Sequence, residues 1–414
     1  MTAPSSEPDF LRDLGSRSDA EGGVFWVRDG ELAVFDADTA RRVNAVNFAD
    51  LTLPDRLVDV LRRRPSTPVS WRQVRSAWTV QLRRLADPGA VGELAARMAD
   101  TLDERLGREV DLVRLAHEVT LRALLPVVVA GLSPGDAARV MRDLDFKVIR
   151  LLATGDPSLR SRPVGHSVVV QVRAGLAVRR EIRGRASGRR PQHLDLLDPI
   201  AMDLLPVLGM DRAVDAVTAV LTAIAGPPGA ASAALLYELE SRPDWAERLA
   251  GELGGIAPRD LYAAPARVAP VTHRFVREVL RMWSPPLMLS RAVRTGIRLP
   301  RVSLDVGERY LMSSYLVHHD TRHWTDPETF DPDRWLAGAP NGPPGGAHYV
   351  PFGWAPKACL GAGLGTIQLV LLCHLLCTRY RIDLSGEASP RMTLAAVPMP
   401  LDFRGRVVRR TGQP

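Results

Sequence analysis

The sequence predicts a mainly α fold, a helical body carrying small β-sheets. Three observations carry this. Helical periodicity dominates from about residue 54 onward. Strand character is confined to short stretches near the N-terminus, at 289–317 and near the C-terminus. Pro and Gly punctuate the junctions between the periodic segments.

Taken in order, VFWVR and ELAVF flank Asp29-Gly30, a pair suited to a two-residue hairpin turn. The spacing of apolar residues then predicts helices over about 69–86, 89–105, 110–131, 134–152, 166–185, 210–241, 243–253, 270–283 and 361–378. Ser133-Pro134-Gly135 and Asp156-Pro157 mark breaks. The stretch LAGAPNGPPGGAHYVPFGWAPKACLG is too rich in Gly and Pro for regular structure. No internal repeat is visible, and length alone would allow two or three domains. At 46% hydrophobic the chain can fill a large core.

Composition narrows the function classes. The net charge is +7, but the basic residues are scattered and form no Lys/Arg tract, so nucleic acid is not an expected partner. Lysine occurs only at Lys147 and Lys357; the rest of the basic charge is arginine. The cysteines are Cys359, Cys373 and Cys377, which is no secreted disulfide framework. Cys373 and Cys377 share one face of an apolar helix and read as core thiols. The polar N-terminus, MTAPSSEPDFLRDLG, lacks the basic-then-apolar signature of a signal peptide. A cytoplasmic protein with no membrane span is expected.

The chemistry points to PFGWAPKACLGAGLG, residues 351–365. Cys359 follows a Gly/Pro loop and precedes a strongly apolar helix. A thiolate there lies beside a helix N-terminus, whose free N–H groups and positive dipole end favour it. Gly353 and Gly361 let backbone approach a flat ligand closely.

This segment resembles the haem-binding loop of the cytochrome P450 family, Phe-Gly-x-Gly-x-His/Arg-x-Cys-x-Gly. Phe352, Gly353, Cys359 and Gly361 match it in order and spacing. Ala355 replaces the second glycine and Lys357 the usual His or Arg, while Thr366 and Gln368 stand where Arg and Glu are common. Upstream, REVLRMWSPP supplies Glu278 and Arg281 in a Glu-x-x-Arg pair, and TDPETFDPDRW supplies Arg334. By the resemblance these three form a buried network that holds the cysteine loop. SWRQVR, with Trp71 and Arg75, resembles the family's propionate contact on a helix, and Arg291 in LSRAV its strand arginine.

The resemblance implies haem b between a long central helix and the Cys359 loop, with iron held by the Cys359 thiolate, which favours O–O cleavage. Trp71, Arg75, Arg291 and Lys357 are then candidates to meet the propionates. It also implies a single domain over residues 1–414, a small organic substrate, a role in natural-product metabolism, and electrons from an external ferredoxin and its reductase, since no reductase or flavin motif is visible. Lys357, Arg72 and Arg84 are the candidates for that docking surface. Pocket walls are expected from the 51–68 loop, Ala225 to Gly229, Leu287 to Leu289 and Val397 to Met399.

The chain departs from the family in the central helix. Members commonly carry Ala/Gly-Gly-x-Asp/Glu-Thr there, whose acid and alcohol deliver protons. Here LTAIAGPPGAASAALLYELE aligns Ala225-Gly226 with the start of the motif, Pro228 with the acid and Gly229 with the Thr. Thr222 and Ser232 are the nearest hydroxyls, and neither sits at the relay position. Pro227-Pro228 removes two N–H donors, so the carbonyls of Ala223 and Ile224 lose their partners and the helix must bend or open. Three readings follow: a monooxygenase with protons from water or substrate; a haem-thiolate enzyme using peroxide, oxidative coupling, nitrene-type transfer or rearrangement; and a non-catalytic helper. The Pro228→Glu, Gly229→Thr pair is expected to restore the usual groups.

Overall fold

The structure, a computed structural model, describes residues 7–47, 71–156, 158–159, 164–263, 265–293, 295–345, 347–386 and 389–410. The expected 51–68 pocket wall lies outside the described residues, as do the side chains of Trp71 and Arg72.

The helical body is present where the periodicity places it. Its main helices are Trp71–Arg84, Pro88–Asp103, Leu112–Val128, Pro134–Leu152, Val164–Ala186, Leu205–Ala225, Pro227–Ser241, Pro243–Leu253, Pro270–Met282 and Ala362–Thr378. Two helices carried no clear signal, Glu7–Glu21 and Ala37–Val46; the second is N-capped by Asp36, whose carboxylate accepts from the Thr39 N–H at 2.9 Å. The strands are β1 (Val24–Arg28), β2 (Glu31–Val34), β3 (Glu109–Asp111), β4 (Leu289–Ala292), β5 (Ile297–Leu299), β6 (Val302–Leu304), β7 (Arg309–Met312), β8 (Tyr380–Ser385), β9 (Arg391–Leu394), β10 (Pro398–Leu401) and β11 (Arg404–Arg409). The hairpin at Asp29-Gly30 forms, with Gly30 at φ 71°. It joins a sheet of order β1-β2-β7-β4, in which β2 and β7 run parallel. Within the stretch read as strand, Ser314–His318 is instead a short helix, because the Ser313 hydroxyl caps it through the Leu316 N–H.

The helix expected over 210–241 is divided. Gly209 departs from helical geometry at φ 71°, and Gly226 (φ −119°, ψ −77°) separates Leu205–Ala225 from Pro227–Ser241. Pro227 and Pro228 therefore do not sit in a helix interior. They open a new helix, where a missing N–H costs nothing and a fixed φ helps. The Ala230 N–H closes its first turn on the Gly226 carbonyl at 3.1 Å. The run Ile200–Ser241 is long and apolar enough to cross a membrane by length and composition, but its most apolar window is 61% buried, as in a core helix.

Candidate haem-thiolate site

Cys359 sits at the end of a loop pinned from several directions. Its own N–H donates to the Phe352 carbonyl at 2.8 Å. Gly353 adopts φ 75°, a left-handed conformation that favours glycine. Gly361 caps the Ala362–Thr378 helix at an ordinary negative φ, and a Cβ there would lie 3.8 Å from the Cys359 sulfur. Arg75, from the Trp71–Arg84 helix, donates to the Ala358 carbonyl at 2.8 Å. Asn44 donates to the Trp354 carbonyl at 2.7 Å. His318 Nε2 accepts the Val350 N–H at 2.8 Å, and the Ser314 hydroxyl donates to the Val350 carbonyl at 2.8 Å. Asn44, Ser314 and His318 carried no sequence signal.

Behind this loop lies the expected three-residue network. Glu278 accepts two bonds from Arg281, Nε at 3.0 Å and Nη2 at 2.8 Å, and one from Arg334 Nε at 3.1 Å. The Trp335 indole N–H and the Asp331 backbone N–H add two more at 3.0 Å. All three charged side chains are fully buried. One carboxylate cannot balance two guanidinium groups alone. The remaining donors reach carbonyls, including those of His318, Pro327 and Thr329 for Arg281 and of Thr325 and Asn341 for Arg334. His318 continues the chain of contacts: its Nδ1 lies 3.1 Å from the Arg281 carbonyl. Donating there while accepting from Val350 requires a neutral ring, and burial pushes its pKa well down, consistent with that tautomer.

The thiol differs from its two companions. Cys373 and Cys377 are buried in the core, whereas Cys359 is accessible. Enough protein surrounds the Cys359 sulfur for desolvation to push its pKa up; the Gly361 N–H and the Arg75 charge act the other way. A coordinated metal cation resolves that conflict by holding the thiolate outright. Arg75 and Arg291 lie near enough for each other's charge to be felt, and among the described residues neither meets a carboxylate. Arg291 Nε is buried without a hydrogen-bond partner. A thiol, two uncompensated guanidinium groups and a glycine at the helix start fit a flat, dianionic, metal-holding ligand such as haem.

Lys357 behaves differently from a free propionate partner. It is buried, and its Nζ donates to the Asn47 carbonyl at 2.5 Å. Asn47 in turn donates to the Tyr310 hydroxyl at 3.1 Å, and Tyr310 pairs with Arg291 across β4 and β7. Lys357 thus reaches the Arg291 corner through a relay of contacts. Being buried, it forms no part of an exposed docking surface, which corrects that expectation; Arg84 is exposed.

The central helix is divided at Gly226. A cavity of about 460 Å³ is lined there by Ala225, Gly226, Pro227, Leu287 and Val397, with Lys147 and Thr222 at its polar end. Pro228, Gly229, Leu289, Pro398 and Met399, expected as wall residues, are not among its lining, and Phe10 and Leu151 are.

Gly229 has a specific reason to be glycine. A Cβ there would stand 2.1 Å from Nδ1 and 2.5 Å from Cγ of His117, on the Leu112–Val128 helix. The imidazole occupies the space that a side chain at position 229 would need. It is fully buried, neither ring nitrogen makes a well-formed hydrogen bond among the described residues, and burial pushes its pKa down to about 4 against the pull of the Ala225 carbonyl. Neither nearby hydroxyl substitutes. Ser232 bonds Thr120 at 2.9 Å, Gln368 at 2.7 Å and the Pro228 carbonyl at 3.0 Å, a network joining three helices. Thr222 donates to the Thr218 carbonyl and accepts from Lys147.

The Pro228→Glu, Gly229→Thr pair therefore sets its threonine against His117, which must shift to admit it. Gly229→Thr alone should lower stability by about 1–3 kcal/mol through overpacking, and adding His117→Ala should recover most of the loss. Denaturant midpoints at constant slope provide the measurement. A Gly229→Thr protein as stable as the parent would show that the ring simply swings aside.

Comparison with known proteins agrees with this geometry. A cytochrome P450 family model matches residues 222–400. Among solved structures, a zebrafish cytochrome P450 determined with abiraterone superposes with a TM-score of 0.77 at 20% identity, covering 99% of this chain and 100% of that one. The haem domain of cytochrome P450DA gives 0.72 at 17% identity, covering 98% and 94%. Curated relatives include thromboxane-A synthase of Mus musculus, 28% identical over 183 residues (43% of this chain, 32% of the relative). Cyclooctatin synthase of Streptomyces melanosporofaciens is 32% identical over 151 residues (36% and 32%). The chain thus spans about a third of the length of these relatives. The fold is thus that of cytochromes P450, and residues 222–400, which carry the cysteine loop and the buried Glu278, Arg281 and Arg334 network, match the cytochrome P450 family model.

Proposed function

We propose that this protein is a haem-thiolate oxidative enzyme for a small, mainly apolar organic substrate, working without a side-chain acid and alcohol relay. The observation that carries the reading is the pairing of an accessible Cys359 with a central helix in which His117 fills the relay position. When bound, haem supplies the redox chemistry, and the thiolate donates electron density to it. The protein's own part is to hold and exclude. Arg75 and Arg291 neutralise the ligand's anionic edge, the Glu278 network fixes the loop, and the apolar wall from Ala225 to Pro227 seats the substrate.

Proton delivery requires a donor within hydrogen-bond reach, directly or through one water. Pro228 and Gly229 have no such side chain. The substrate or ordered water supplies the proton in the first reading. In the second, ordinary dioxygen activation is avoided, through peroxide use, oxidative cyclisation or coupling, nitrene-type transfer or rearrangement of an activated substrate. Retention of Cys359 argues against a non-catalytic helper.

Relatives named cyclooctatin synthase and 11-oxo-beta-amyrin 30-oxidase support a place in natural-product metabolism. An external ferredoxin with its reductase would serve the first reading, in the cytoplasm, with residues 1–414 as one catalytic domain.

Turnover driven by NADPH plus redox proteins, compared with peroxide on simple apolar substrates, tests this. Spectral binding shifts with slow, poorly coupled oxygenation are expected, since general acid catalysis is worth about 10²–10⁴-fold. Rapid, well-coupled hydroxylation would defeat the reading. A strong gain of native activity in His117→Ala/Pro228→Glu/Gly229→Thr would return the protein to the ordinary monooxygenase cycle.

A further inference from the structure

The polar end of the cavity has a composition that specifies a ligand. Lys147, on Pro134–Leu152, donates to Asp143 Oδ2 at 2.6 Å and to Thr222 Oγ1 at 3.0 Å. Asp143 is buried, with its side chain 6% exposed, while Lys147 is 21% exposed and lines the cavity. An ammonium has three N–H donors, so two are committed and one is left for the cavity. Thr222 holds the head in place from the other side, since it spends its own proton on the Thr218 carbonyl at 2.9 Å. It stands one helical turn before Gly226, beside the break. An arginine would have met Asp143 with a two-pronged fork; lysine, one of two in the chain, is a point donor with a spare hydrogen.

The charge balance selects the acceptor. Asp143 already neutralises the ammonium, so a substrate carboxylate would bring a second anion to a single cation. A neutral oxygen acceptor avoids that cost. Among the described residues, those lining the cavity are apolar apart from Lys147 and Thr222.

Resting on the functional reading above, we infer that Lys147 is a specificity-determining residue, selecting an otherwise apolar substrate that carries one neutral carbonyl oxygen, as in a ketone, ester or amide, at the helix-break end of the cavity. Thr222 and Asp143 are positioning residues that aim its free N–H.

The probes are 4-phenylcyclohexanone, phenylcyclohexane and 4-phenylcyclohexane-1-carboxylate, with Kd measured by calorimetry on the haem-loaded protein. The quantity of interest is the ratio of hydrocarbon Kd to ketone Kd, compared between variants so that the ligands' own hydration cancels. Lys147→Met/Asp143→Asn removes the donor without leaving a buried charge unpaired. It should lower the ratio by about 10- to 100-fold, the range for a hydrogen bond to a charged group. Thr222→Val, which disturbs only the aim, should lower it by a smaller factor and preserve the fold. The parent protein should prefer the ketone to the carboxylate. A ratio unchanged within about threefold, or a preference for the carboxylate, overturns the assignment. A ketone preference that depends on Lys147 in a protein showing no thiolate Soret band would instead sink the haem-thiolate reading and leave Lys147 as the selecting donor.

Discussion

The reduced, carbon-monoxide-bound protein is expected to show the red-shifted Soret band of thiolate ligation, and Cys359→Ser is expected to abolish it. Cys373→Ser and Cys377→Ser should leave the band in place. The difference is one of position rather than chemistry. Cys359 is accessible at the end of a loop held by Arg75, Asn44, Ser314 and His318. The other two thiols lie on Ala362–Thr378 within the core, where burial pushes Cys377 up to about 12 and Cys373 well above its ordinary value. A buried thiol of that kind stays protonated and inert. Their serine variants should lose some stability and no haem. If all three variants behave alike, Cys359 is not the iron ligand and the site has been placed wrongly.

The second large effect is expected at Glu278. Glu278→Ala should cost about 3–5 kcal/mol, because it strands Arg281 and Arg334 as buried, uncompensated cations. The same change removes the acceptor of Trp335 and of the Asp331 N–H. Its influence should extend to the ligand, since Arg281 leads through His318 to Val350 and so into the cysteine loop. Weakened haem retention is therefore expected together with the lower denaturant midpoint. Glu21→Ala, which breaks the exposed pair with Arg17 at 3.1 Å, is the control and should cost ~0–1 kcal/mol. Comparable losses at both sites would mean that the Glu278 network carries no special weight. A Glu278 variant that loses stability but keeps its thiolate band and haem affinity would confine the network to folding.

Much of this protein was legible along the chain because the relevant physics is local. Apolar spacing placed the helices from 71 to 378 within a few residues, since burying one face of a helix needs a 3.6-residue rhythm. Asp29-Gly30 placed the hairpin, because only certain residues accept its backbone angles. Pro227-Pro228 announced a break in the central helix, because two consecutive N–H groups are missing. The cysteine loop and the Glu278, Arg281 and Arg334 set were found through resemblance, as motifs of fixed spacing. Other features depend on residues far apart in sequence, and no local pattern encodes them. The Leu112–Val128 helix brings His117 against Gly229, filling the space that a side chain there would need. Packing carries Lys357 inward to the Asn47 carbonyl and sets Lys147 between Asp143 and Thr222 at the cavity. The sequence by itself determined most of the helices, the hairpin and the candidate ligand Cys359, because those follow from periodicity, turn chemistry and, through the resemblance, motif spacing. Only the tertiary structure decided which polar groups face the cavity and which are spent on the protein, because hydrogen bonding and exclusion of volume are settled by neighbours that the chain order does not place side by side.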